Sequence, residues 1–418
     1  MSNDTAIPLP EQRPSRTAKR PLRAAAHARP AAPGARSLYI HIPFCAHKCH
    51  YCDFYSIVDR QDRQRAFTQR LVRELAALAP LAAPLRSIFV GGGTPTLLAP
   101  PLWRDLLDAL ERHYDLSPIR AGQGEFSVEC NPETASPELF GVLADGGVNR
   151  ISVGAQSFDP NHLHTLERHH DPDNVPKTFE LARAAGIHRQ SLDLIFAIPG
   201  QSLEDWSSDL DRALELGTEH LSCYALTYEP NTAMTARLER QEFDRADEDL
   251  EADMYELTVD RLRAAGLERY EVSNFARPGR ECAHNLAYWR QEDWLAAGPS
   301  ASGHLAGRRW KNAPRLDDYL SIDDEGFAPI VEHEPPDPRR AVRERLMTGI
   351  RLREGLEIDR VCAEAERVAP GARRRLETAA SWHERLGLLQ RHDARWTLTD
   401  AGFLMGDRVA RDLMGALD

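Results

Sequence analysis

The chain has 418 residues, 42% hydrophobic and 28% charged, with a formal net charge of -12. That size and balance fit a water-soluble protein with a large core and more than one domain. The acidic balance argues against nucleic acid as a partner, which needs a basic face, and no uncharged apolar run is long enough to span a bilayer, so any membrane contact is peripheral.

Residues 1–36 are rich in Pro, Ala and Arg and poor in large apolar groups. Such a segment cannot offset the entropy lost on ordering and is expected to be a disordered tail. Its Arg-rich, acid-poor make-up also matches a transit peptide, although the prolines interrupt any amphipathic helix. No secretory apolar stretch opens the chain, so a reducing, cytoplasmic setting is expected. Short runs with strand character follow at 38–42, 87–90, 126–130, 151–153, 192–195 and 221–226. Helical spacing of apolar residues fills the gaps at 66–78, 102–110, 137–143, 175–185 and 203–216. This alternation predicts an α/β fold with a parallel sheet, right-handed crossovers and a partial barrel of six units over 37–332. The acidic run 244–256 reads as a solvated helix face. Prolines beyond His333 mark a linker, after which 341–386 is helical and 387–402 forms a β-ribbon leading into a last helix. That last part, 333–418, resembles a winged-helix module, but its mixed charges do not supply a basic recognition helix.

Cys45, Cys49 and Cys52 form a C-x3-C-x2-C loop directly after the first strand. Structural zinc normally takes four protein ligands, whereas an iron-sulfur cube on three thiolates keeps one iron open to a small chelating molecule. A zinc site completed by His41, His47 or His50 is the competing reading. Cys130, Cys223, Cys282 and Cys362 are scattered singly and read as small buried residues.

Chemistry in such barrels gathers at the carboxyl ends of the strands, and distinctive residues fall there. Gly91, Gly92, Gly93, Thr94, Pro95 and Thr96 follow the second strand, Glu129, Cys130 and Asn131 the third, and Gln156 the fourth; Asp193 lies on the fifth, and Tyr224 with Ala225 ends the sixth. Consecutive glycines let the backbone approach a ligand closely, and Glu129 and Asp193 can accept hydrogen bonds from an ammonium or from ribose hydroxyls.

Taken together, the cysteine loop, the Gly-Gly-Gly-Thr-Pro-Thr turn and the segments 128–132, 154–159 and 193–200 resemble the radical S-adenosylmethionine enzymes. Within them the chain is similar to the branch that holds oxygen-independent coproporphyrinogen III dehydrogenase and its haem-chaperone relatives, from Tyr39 to the C-terminal module. The resemblance implies a partial (β/α)6 radical-SAM barrel with a [4Fe-4S] cluster on Cys45, Cys49 and Cys52. It also implies an S-adenosylmethionine site lined by Tyr39, Gly92, Gly93, Thr94, Glu129, Gln156, Arg168, Asp193 and Ala225, and an electron donor such as flavodoxin or ferredoxin. The segment Cys282-Ala-His284-Asn285-Leu-Ala-Tyr288-Trp289 holds the H-N-x-x-Y-W pattern associated with haem in that group. His284 is then an axial-ligand candidate, with Tyr288 one helical turn away and Cys282 a competing thiolate.

The dehydrogenase carries a further cysteine two positions after the third, where this chain has Phe54, and an ordered N-terminal segment, where this chain has only its Pro/Ala/Arg tail. Both departures favour a haem chaperone that binds haem and passes it to acceptor proteins such as respiratory enzymes, with a homodimer as one arrangement and no coproporphyrinogen dehydrogenase activity. The alternatives are the dehydrogenase itself, converting coproporphyrinogen III to protoporphyrinogen IX, and a zinc-stabilised binding protein without redox chemistry.

Overall fold

The computed structural model describes residues 20–21, 34–321 and 325–418. Apart from Arg20, Pro21 and residues 34–36, the predicted tail lies outside the described residues. Six strands, β1 (Ala35–Ile42), β2 (Ala82–Gly92), β3 (Glu125–Cys130), β4 (Arg150–Gln156), β5 (Arg189–Phe196) and β6 (His220–Ala225), run parallel and pair in chain order. Each matches a predicted strand. β1 starts at Ala35, inside the span assigned to the tail, because Ala35 is fully buried and pairs with Ala82.

Side chains alternate along each strand with period two, and the two faces differ in kind. Leu38, Ile40, Ile88, Val90, Val128, Ile151, Val153, Leu192 and Leu194 are fully buried in the main core. Most of the intervening residues are polar, Phe89 excepted, and several bond to one another across the strands: Ser87 donates to Ser37 at 2.9 Å, Arg150 to Ser127 at 3.3 Å, and Ser191 meets His220 at 2.8 Å. The barrel therefore has an apolar shell against its helices and a polar interior. Helices Gln64–Leu78, Pro100–His113, Pro137–Asp145, Asn174–Ala184 and Leu203–Glu215 make the crossovers. The last starts on a capping box in which Ser202 accepts the N–H of Asp205 and Asp205 accepts that of Ser202. The acidic run opens helix Glu248–Ala264, capped by Asp247, with Glu248, Asp249 and Glu251 in its first turn, where the helix dipole favours negative charge.

Sequence spacing did not reveal the flanks. Beyond β6 lie β7 (Glu268–Arg269) and β8 (Asn274–Ala276); beyond β1 lie β9 (Trp294–Ala297), parallel to it, then the antiparallel β10 (Ser302–Leu305), β11 (Arg308–Asn312) and β12 (Pro329–Glu334), the last paired with Arg20–Pro21. The sheet has thirteen strands among the described residues. These added strands are short and mix polar with apolar residues, so they lack the alternation that marks β1 to β6.

β12 runs to Glu334, past the expected boundary at 332/333, and the next helix begins at Pro338. The stretch expected to be helical is broken into Pro338–Gly349, Ile358–Val368 and Ala372–Arg385, with β13 (Leu356–Glu357) between the first two. The ribbon is β14 (Leu389–His392) and β15 (Arg395–Leu398), and β13 pairs with β15 to complete a three-stranded sheet. This unit has its own core around Trp396, Leu346 and Leu376. It meets the barrel through Arg269, which donates to Asp400 at 2.8 Å, and through the Arg353 N–H on the Tyr270 carbonyl at 2.9 Å.

Candidate cluster and cofactor site

The cysteine loop is fastened at several points. Cys45 N–H donates to the Ile57 carbonyl at 2.9 Å and Ile57 N–H to Pro43 at 2.8 Å, closing its base. Its middle is held by His50 N–H on the Leu166 carbonyl at 3.2 Å and by Met234 N–H on the His50 carbonyl at 2.9 Å. Lys48 Nζ reaches forward to the Phe54 carbonyl at 2.6 Å and Ser56 Oγ at 3.0 Å. Cys45, Cys49 and Cys52 are free and partly exposed, whereas the four scattered cysteines are free and buried, as expected.

Two donors face the sulfurs. Thr94 Oγ1 lies 3.6 Å from Cys45 Sγ, and Arg168 Nη1 lies 3.9 Å from Cys49 Sγ while its Nη2 donates to the Gly154 carbonyl at 2.8 Å. Without metal, burial raises the Cys45 thiol and pushes Cys52 up to about 11; coordination to a cation removes such protons outright.

Of the three histidines offered as a fourth zinc ligand, two are hydrogen-bonded elsewhere and His47 turns its Nε2 toward Glu167 without a hydrogen bond. His41 accepts from Tyr39 OH at its Nδ1 (3.0 Å) and donates from Nε2 to the Tyr55 carbonyl (2.8 Å), His47 faces Glu167, and His50 Nδ1 takes Arg237 Nη1 at 3.2 Å. Burial lowers His41 to about 4, so it remains neutral. Three free thiols on one loop, with hydrogen-bond donors facing two of them, fit a [4Fe-4S] cluster.

The glycine run is required by its neighbours. A Cβ on Gly91 would come within 2.8 Å of the Glu129 carboxylate, one on Gly92 within 2.4 Å of His41 Cε1, and one on Gly93 within 2.7 Å of the Phe44 carbonyl; Gly92 also has φ +111. The backbone can thus lie flat between the cysteine loop and the polar interior. Glu129 Oε2 accepts the Gly92 N–H at 3.0 Å, and Ser152 Oγ donates to both Asp193 oxygens at 3.3 Å. Burial, then the nearby Asp193 charge, raises Glu129 to about 7. Gln156 ends β4 with φ 68, at a register shift that turns the strand end. Ala225 ends β6, and Tyr224 beside it is exposed. Arg168, expected at the S-adenosylmethionine site, follows the short helix Pro160–Thr165 and reaches the cysteine loop.

His284 and Tyr288 lie on helix Ala283–Trp289 with ring centroids 4.8 Å apart, one turn from each other as expected. The helix starts at the floor of the barrel, where Glu125 accepts the N–H groups of Ala283 and His284 at 3.2 and 3.4 Å. His284 is 2% exposed, with Tyr39 6.3 Å away between ring centroids. Its Nδ1 lies 3.0 Å from Ser87 Oγ, and because Ser87 gives its own proton to Ser37, Nδ1–H is the donor. Nε2 is buried without a partner, and burial lowers the ring to about 4. Cys282, the competing thiolate, is buried, and burial and then the charge of Glu125, whose Oε1 accepts from its thiol at 3.3 Å, push it up to about 12. Sequence reading missed Lys48 and Tyr51, which packs against Leu166, Ile195, Ile198, Leu226 and Met234 under the loop; the signal was a base and an aromatic between the cysteines.

Comparison with known proteins agrees with this geometry. Residues 39–213 match the profile of the Radical SAM superfamily, and residues 337–405 that of the HemN C-terminal domain. The chain is 38% identical over 384 residues to "Heme chaperone HemW" of Mycobacterium tuberculosis, covering 90% of this chain and 94% of that protein. It is 33% identical over 384 residues to the protein of the same name from Bacillus subtilis, covering 91% and 100%. Coproporphyrinogen III oxidase (HemN) from Escherichia coli, described as a radical SAM enzyme, superposes with TM-score 0.79 over 93% of this chain and 92% of its own, at 22% identity, a likeness of fold. At 38% identity over nine-tenths of its length, and with both profiles matched, the chain belongs to the HemW family of the radical SAM superfamily.

Proposed function

We propose that this protein is a haem chaperone that carries a [4Fe-4S] cluster and S-adenosylmethionine, binds haem and passes it to acceptor proteins such as respiratory enzymes. The observation that carries the reading is the similarity to HemW over nine-tenths of the chain. Phe54 supports it. It is 64% exposed at the rim of the cysteine loop, at the position where the dehydrogenase pattern has a further cysteine.

In this reading Cys45, Cys49 and Cys52 hold the cluster. The Gly92–Gly93 backbone, Thr94 and Glu129 cradle the amino-acid end of S-adenosylmethionine, while Asp193, Gln156, Ala225, Tyr39 and Arg168 border the rest. When bound and reduced, the cluster can deliver an electron to the sulfonium, and a flavodoxin or ferredoxin is the class of donor. The chain's own residues orient and shield: Arg168 neutralises charge beside Cys49, and Glu129 and Asp193 present carboxylates within the polar interior. His284 is the axial-ligand candidate for haem iron. Its Nδ1–H is engaged by Ser87 and its Nε2 lone pair is free, the arrangement that orients a ligating histidine. Because the ring is 2% exposed, haem gains it only as helix Ala283–Trp289 moves aside. Among the described residues no helix is long and apolar enough to cross a membrane; a cytoplasmic location, with peripheral contact to the membrane and a homodimer, completes the proposal.

The test is anaerobic. Reconstituted protein is titrated with haem and mixed with a haem-free acceptor, expecting binding and transfer. His284→Ala is expected to lose the axial-ligand spectrum, and Ser87→Ala to bind about tenfold more weakly. Steady conversion of coproporphyrinogen III to protoporphyrinogen IX by the wild type would replace the chaperone reading with the dehydrogenase.

A further inference from the structure

A set of metal-binding side chains stands on the outer rim, apart from the three cysteines. His47, between Cys45 and Cys49, faces the loop after β4, where Glu167 and His169 flank Arg168. His47 Nε2 is 3.7 Å and His169 Nε2 3.2 Å from the same Glu167 oxygen, Oε2. The two imidazoles stack with centroids 4.1 Å apart and 20° between their planes. One ligand atom from each residue lies within 4.8 Å of the other two. His47 Nε2 is a buried atom without a hydrogen-bond partner. Glu167 holds φ 52, a left-handed backbone that is strained for a non-glycine residue, so the chain keeps a carboxylate where glycine would be easier.

We propose that His47, Glu167 and His169 form a binding site for a divalent transition metal of zinc type. Two imidazoles and a carboxylate are a zinc donor set that leaves a fourth position for water, whereas calcium and magnesium take oxygen ligands. The metal would tie the cysteine loop to the loop after β4. By gripping the residues on both sides of Arg168, it would hold the guanidinium against Cys49 Sγ. This is a positioning role, independent of whether haem is the cargo.

The experiment uses cluster-loaded protein, so that the cysteines are engaged. It is equilibrated without oxygen against chelator-buffered Zn2+, freed of excess metal, and analysed for zinc, iron and sulfide. The expected result is about one zinc per chain in the wild type and at least about tenfold weaker zinc binding in His169→Ala and Glu167→Gly, with iron and sulfide equal to the wild type's at the outset and lost faster on anaerobic dilution. His169 is exposed, and Glu167→Gly relieves the left-handed backbone, so a lower thermal midpoint is not expected of either. Zinc retained equally by both variants, or absent from the wild type at micromolar free zinc, overturns the site.

Discussion

The guanidinium of Arg168 stands 3.9 Å from Cys49 Sγ and donates at 2.8 Å to the Gly154 carbonyl, so one side chain joins the cysteine loop to the end of β4. Removing it breaks a charge-assisted contact of about 1.5–3 kcal/mol. Arg168→Ala is expected to retain the fold by circular dichroism and to lose iron and sulfide faster than the wild type on anaerobic dilution. Equal retention would show that the contact is incidental.

Gly92 has no room for a methyl group. His41, held at both ring nitrogens, cannot swing away from a Cβ placed 2.4 Å from its Cε1, and φ +111 adds strain. Gly92→Ala is expected to cost about 1–3 kcal/mol in urea unfolding. Gly141, inside helix Pro137–Asp145 with nothing within 4 Å of its would-be Cβ, is the control: Gly141→Ala is expected to stabilise by up to about 1 kcal/mol.

Glu129 makes stability depend on pH. Its folded pKa of about 7 lies above the usual carboxylate value because of burial and then Asp193. Between the unfolded value and about 7 the native state binds the extra proton, so this group's contribution is greatest at low pH and is lost as pH rises to about 7. Glu129→Gln keeps an acceptor for the Gly92 N–H and removes the titration. From pH 5 to 8 the variant is expected to gain about 2–3 kcal/mol relative to the wild type, measured by parallel urea titrations. A pH-independent difference between the two would contradict the burial argument.

Glu74 anchors the flank beside β1. It accepts from Tyr319 OH at 2.6 Å, the Gly298 N–H at 2.9 Å and Asn312 Nδ2 at 2.9 Å, all buried. Glu74→Ala leaves the Tyr319 hydroxyl and the Gly298 N–H unpaired, while Asn312 Nδ2 keeps the Gly298 carbonyl at 2.9 Å, and is expected to cost about 2–5 kcal/mol, with β9 to β12 becoming sensitive to protease before the rest of the sheet.

The six parallel strands, their crossover helices and the cysteine loop were legible because each is local: period-two alternation, helical spacing and C-x3-C-x2-C are written in consecutive residues. Glu129, Gln156 and Asp193 were legible in the same way, since strand ends collect chemistry whatever the side chains between them. Arg168 was harder to read, because what distinguishes it from any helix arginine is the sulfur it meets 119 residues earlier. Glu74, bound to partners at 298, 312 and 319, left no mark in its own helix, and strands as short as Glu268–Arg269 have too few residues to show a period.

Sequence alone determined that three thiols share one loop and that polar residues alternate with apolar ones along the six strands, because both are properties of neighbours in the chain. Only the tertiary structure decided that His41 is locked between Tyr39 and Tyr55, that His284 lies beneath the interior on Ser87 with Nε2 unpartnered, and that His47 meets Glu167 and His169. Those outcomes depend on which distant groups share a buried space, where unpaired charge is costly and each hydrogen bond excludes another.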